Sequence, residues 1–71
     1  MENESKIYKF IIFCLEHYRN FRKISAMEAL SSFQKADVFQ YLADGYDVLH
    51  TQGKDYLVRD IDEFILNHTS K

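Results

Sequence analysis

Apolar side chains recur at Ile7, Phe10, Ile11, Cys14, Leu15 and Tyr18, the i, i+3, i+4, i+7 spacing of a helical face. Lys6, Lys9, Glu16 and Arg19 fall elsewhere on the same wheel. Residues 4 to about 21 are therefore predicted to form a long amphipathic helix. Ile12 and Phe13 widen the stripe until the middle of that helix is apolar nearly all round. Such a helix is either central to its fold or covered by another chain, and a homodimer through residues 7–18 would supply the cover.

The pattern breaks from Asn20 to Ile24, which is markedly basic, and then punctuation becomes dense. Ser25 followed by Glu28 has the form of a capping box. It should start a helix that ends near Gln34 and buries Met27, Leu30 and Phe33. Asp37 with Gln40 forms a second such box, opening a short helix through Val38, Tyr41 and Leu42, and Gly45 stands where a left-handed C-terminal cap is expected. Asp47 to Gln52 fits one or two helical turns closed by Gly53. Tyr56-Leu57-Val58 is β-prone and reads as a short extended segment. Asp60 with Glu63 then caps a last helix burying Ile61, Phe64 and Ile65. The fold class is mainly α: a small single-domain bundle of four to five short helices, with one short extended segment near 56–58. The domain spans 1–71, with 1–4 and 68–71 expected to fray.

Composition explains how so short a chain can hold a core. Seventy-one residues lie near the lower limit for an unstapled fold. Five Tyr and six Phe offset this by burying large areas each. The single cysteine, Cys14, allows no intramolecular disulfide, and its apolar setting favours a buried, inert thiol. The run Phe10–Leu15 is too short to span a bilayer, for which roughly 20 apolar residues are needed. With Glu2 and Glu4 at the start instead of a basic signal region, the sequence points to the cytoplasm and away from the membrane.

Charge is unevenly divided. Residues 1–35 hold six basic and four acidic side chains, and residues 36–71 hold three basic and seven acidic. The halves thus carry +2 and −4, an asymmetry that suits a charged partner or head-to-tail self-association.

Candidate chemistry is sparse. His17, His50 and His68 with Cys14 show no recognisable zinc-ligand spacing. Asp47 and His50 share a face if their turn is helical, yet no nucleophile or oxyanion site accompanies them, and His50 reads as a structural histidine packed beside Tyr56. No catalytic, cofactor-binding or metal-binding residues are assigned, and the chain does not read as an enzyme. The helices at 25–34 and 37–44 are compatible with a helix-turn-helix, the alternative reading being a small DNA-binding regulator. Phosphate contacts dominate such binding. The would-be recognition helix carries Asp37 and Asp44 without a basic residue, and the basic patch Arg19, Arg22 and Lys23 lies elsewhere. Nucleic acid is thus disfavoured as a partner. Protein–protein binding fits better, through the aromatic composition and the excess apolar surface on the first helix.

The stretch from Gly45 to Ile61, with its Gly45-Tyr46-Asp47-Val48-Leu49-His50-Thr51-Gln52-Gly53 core, resembles the signature of a family of short bacterial proteins of unknown function common in Firmicutes. The resemblance begins with the helix around Ile11-Ile12-Phe13-Cys14-Leu15-Glu16 and extends from about Tyr8 to Leu66. It implies no activity, and it implies a setting beside a protein related to ADP-ribosyltransferases. By that analogy the protein is expected to be a non-enzymatic interaction module, an antitoxin-like or accessory partner. Tyr46, Asp47, His50, Asp55 and Tyr56 are its expected contact residues.

Overall fold

The computed structural model describes residues 2–69 as five helices in chain order: α1 (Glu2–Arg22), α2 (Ala26–Lys35), α3 (Val38–Asp44), α4 (Tyr46–Leu49) and α5 (Lys54–Thr69). Among the described residues there is no strand. The fraying expected at 1–4 and 68–71 falls partly on Met1, Ser70 and Lys71, which lie outside the described residues. Glu2 to Glu4 and His68 to Thr69 are helical.

α1 is the element against which α2, α3 and α5 pack. Its buried residues are Phe10, Cys14 and Tyr18, one per turn on a single line, with Ile7, Ile11 and Leu15 half-buried beside them. From α2 come Ala29 and Phe33, and Ala36 follows in the turn. Val38 and Leu42 come from α3, Leu49 from α4, and Leu57, Val58, Ile61 and Ile65 from α5. Phe33 is fully enclosed, with Tyr18 at 5.5 Å and Phe39 at 5.6 Å between ring centroids. Burying a side chain of that size contributes roughly 1.5–3 kcal/mol.

The local signals were obeyed unevenly. Ser25 caps α2 as expected: its hydroxyl accepts from Glu28 N–H at 3.1 Å, and the Glu28 carboxylate accepts from Ser25 N–H at 3.0 Å. Those bonds favour the ionised form and hold the Glu28 carboxyl below its usual pKa. Met27, however, is 74% exposed, and Ala29 takes the core position instead. Asp37 makes no side-chain cap. It sits at φ 58°, in the left-handed region, and reverses the chain between α2 and α3. Its backbone lacks the extended conformation in which an N-cap side chain reaches the next helix's N–H groups. Lys23, at φ 56°, plays the matching part after α1. Gly45 does not adopt the left-handed cap predicted for it, since its φ is −95°.

The largest departure is at 56–58. These residues are helical, within α5, which begins at Lys54 and buries Leu57, Ile61 and Ile65 at four-residue spacing. The Tyr-Leu-Val propensity for strand is overridden by that core-facing stripe. Asp60 consequently lies inside a helix already begun and does not cap it.

Candidate functional site

The Gly45–Gly53 stretch folds into α4 and the turn that follows it. Gly45 is closely approached: a Cβ there would stand 2.8 Å from Leu49 Cδ1, which would have to shift, and 3.3 Å from the Tyr41 carbonyl oxygen. Gly53 has open space around the same point and no positive φ, so it is no hinge in the steric sense. Its carbonyl oxygen accepts from Leu57 N–H at 3.0 Å and starts α5.

Tyr46 is half-buried and meets Phe10 of α1 edge-on, with ring centroids at 5.4 Å. One turn later His50 stacks on Tyr46 at 4.4 Å and 10°. The same histidine's Nδ1 lies against the Tyr46 carbonyl oxygen. A carbonyl can only accept, so Nδ1 carries the proton. Thr51 Oγ1 donates to the Val48 carbonyl at 2.7 Å, and Gln52 N–H donates to Leu49. Four signature positions (Tyr46, Leu49, His50 and Thr51) are thus occupied in closing this corner. The predicted neighbour of His50 was Tyr56, which instead belongs to the next helix. The imidazole is oriented by its own helix's carbonyl rather than by the Asp47 carboxylate, so the pair lacks the contact that an acid–base dyad would use.

The remaining expected contact residues divide between two places. Asp47, exposed, shares with Ile7, Ala43, Asp44 and Tyr46 a groove of about 190 Å³ beside the N-terminal half of α1. Asp55, also exposed, lines a groove of about 290 Å³ between α1 and α5, with His17, Asn20, Phe21, Lys54, Val58 and Arg59. Tyr56 is 55% exposed. Sequence reasoning missed the α1–α5 groove because its walls are more than thirty residues apart. A partial signal was present: Phe13, His17 and Phe21 recur at four-residue spacing, and the Phe13 and His17 rings touch at 4.3 Å.

The basic patch is partly neutralised. Arg22 Nε lies 3.3 Å from Asp62 Oδ1 of α5, and one Arg19 guanidinium nitrogen is 3.5 Å from Glu16. Lys23 forms the left-handed turn. α3, the would-be recognition helix, places Asp44 within hydrogen-bond reach of Gln40 at 2.8 Å and has no basic residue.

Elsewhere the titratable groups serve the core. Burial pushes the Cys14 thiol up to about 12. Burial also raises the Tyr41 phenol to about 12, helped by its bond to Asp60. Among the described residues, no three His, Cys, Asp or Glu side chains converge as a metal set, and no helix is long and apolar enough to cross a membrane.

A family model described as protein of unknown function, DUF3791, matches residues 9–68. No curated protein and no solved structure matches the chain.

Proposed function

This chain belongs to the family of unknown function DUF3791, and we propose that it works as a non-enzymatic protein-interaction module, an antitoxin-like or accessory partner of an ADP-ribosyltransferase-like protein encoded beside it. The observation that carries the reading is the outward part of the 45–61 unit. Val48 is 67% exposed and Tyr56 55%, with Asp47 and Asp55 exposed next to them in sequence. Aromatic and apolar anchors rimmed by charge are the composition of protein interfaces. Tyr46, half-buried against Phe10 of α1, and the exposed His50 stacked on it complete the expected contact residues beside Asp47 and Val48. The helix-turn-helix alternative draws no support from α3, whose charged side chain is Asp44.

Co-expression with the neighbouring gene product tests the proposal. The two chains should co-purify. Asp47→Lys and Tyr56→Ala should each weaken the complex at least about tenfold, as loss of a central anchor or a rim reversal does, while far-ultraviolet circular dichroism stays unchanged. Absence of co-purification by the folded wild type would overturn it.

A further inference from the structure

The outer face of α1, opposite Phe10, Cys14 and Tyr18, carries Lys9, Ile12, Phe13 and Glu16, all exposed. Their i, i+3, i+4, i+7 spacing makes a rhombus on the helix surface, with Lys9 and Glu16 at its long ends and the two apolar residues at its sides. Ile12 is 53% exposed and Phe13 43%. Among the described residues both keep a large share of their surface open to solvent. Phe13 is steadied on one side by the His17 ring at 4.3 Å, so it is presented already ordered.

We infer that this face pairs with the same face of a second copy, α1 against α1 and antiparallel, about a two-fold axis through the rhombus. That operation is fixed by the residues themselves. The axis runs between the two helices along the Ile12–Phe13 diagonal, so that Ile12 meets Ile12 of the second copy at one point on it and Phe13 meets Phe13 at another. It also sets Lys9 opposite Glu16 of the second copy, twice. An isologous contact must be self-complementary, and here an apolar centre is flanked by opposite charges in mirror order. A parallel arrangement would instead oppose Lys9 to Lys9 and Glu16 to Glu16. The apolar centre supplies the affinity and the exposed ion pairs set direction and register. An interface built on one helix pair is small, so association in the range of about 10–100 µM is expected. The inference rests on reading α1 as an interaction surface, and its variants leave the 45–61 unit untouched, so the two proposals fail separately.

Sedimentation velocity across that concentration range gives the test. Wild type should pass from monomer to dimer and no further, since a two-fold contact closes. Phe13→Glu should weaken the dimer by at least about tenfold. Met27→Glu, at a more exposed apolar residue on α2, should leave it intact. Lys9→Glu and Glu16→Lys should each impair dimerisation alone, and an equimolar mixture of the two should restore it as a heterodimer, because both cross-contacts then pair opposite charges. The double variant Lys9→Glu/Glu16→Lys should also dimerise. Circular dichroism of each variant separates loss of association from loss of fold. A wild type that stays monomeric throughout the range, or charge variants that do not rescue each other, would overturn the inference.

Discussion

The Tyr41 hydroxyl donates to an Asp60 carboxylate oxygen at 2.6 Å and ties α3 to α5 across nineteen residues of sequence. The Tyr41 ring is stacked on Phe64 at 4.1 Å, and Phe64 in turn on His68 at 4.0 Å, so the bond anchors a column of three rings along α5. Removing either partner should cost about 1.5–3 kcal/mol, the range for a hydrogen bond to a charged group. Tyr41→Phe and Asp60→Ala, compared by urea denaturation, check this.

Burial of the same phenol, helped by that bond, sets an alkaline limit. A phenol whose pKa rises from 10.0 to about 12 on folding contributes stability that is whole below pH 10 and is lost as pH climbs toward 12. Cys14, raised from 9.0 to about 12, acts in the same direction beginning lower. Unfolding free energy should therefore decline through this alkaline window, and Tyr41→Phe should make that decline shallower. Denaturant titrations at a series of pH values would show whether the slope changes as stated.

The two glycines of the signature should behave oppositely. Gly45→Ala drives a methyl into Leu49, itself a core residue, and should destabilise by about 1–3 kcal/mol as overpacking does. Gly53→Ala meets nothing and needs no unusual φ, so it should stabilise by about 0.4–1 kcal/mol through the unfolded chain. Thermal melts of the pair decide it.

Lys23 pays a conformational penalty in the left-handed region that glycine would not. Lys23→Gly should raise stability by about 0.5–1 kcal/mol. At Asp37 the same change should gain less, because Asp tolerates that region better than Lys. Chemical denaturation of both variants gives the comparison.

At the start of α2, Ser25→Ala should cost about 1 kcal/mol near neutral pH. Glu28, held below its usual pKa by bonds from Ser25, contributes stability that is present above its unfolded pKa and disappears as pH falls through the lowered folded value. The difference between wild type and Glu28→Ala should shrink in acid and vanish once the carboxyl is protonated in both states. Stability measured from neutral to strongly acid pH tests the direction.

How far the sequence carried depended on distance along the chain. The α1 stripe and the Ser25–Glu28 box involve neighbours within a few residues, and both form as read. Asp37 misled because its position serves two helices at once, and the turn's need for a left-handed residue prevailed over the cap. Tyr56 to Val58 misled because local strand propensity hid the four-residue repeat of Leu57, Ile61 and Ile65, which was present in the letters. The arrangements that give the candidate surface its shape, Phe10 against Tyr46 and the groove that His17 and Asp55 both line, join elements far apart, and no spacing rule points to them. Ile12 and Phe13 were conspicuous from the start as surplus to one helical face, and the fold leaves them outward.

Cys14 lies 1% exposed on the core side of α1, the helix that α2, α3 and α5 all contact. Exposing it is expected to require the neighbouring helices to part. The chain therefore carries a single built-in clock for its own opening. With a thiol reagent in excess, native protein should label at the rate expected for the unfolded thiol divided by the folding equilibrium constant, and each substitution above should speed or slow that labelling by the factor its free energy dictates.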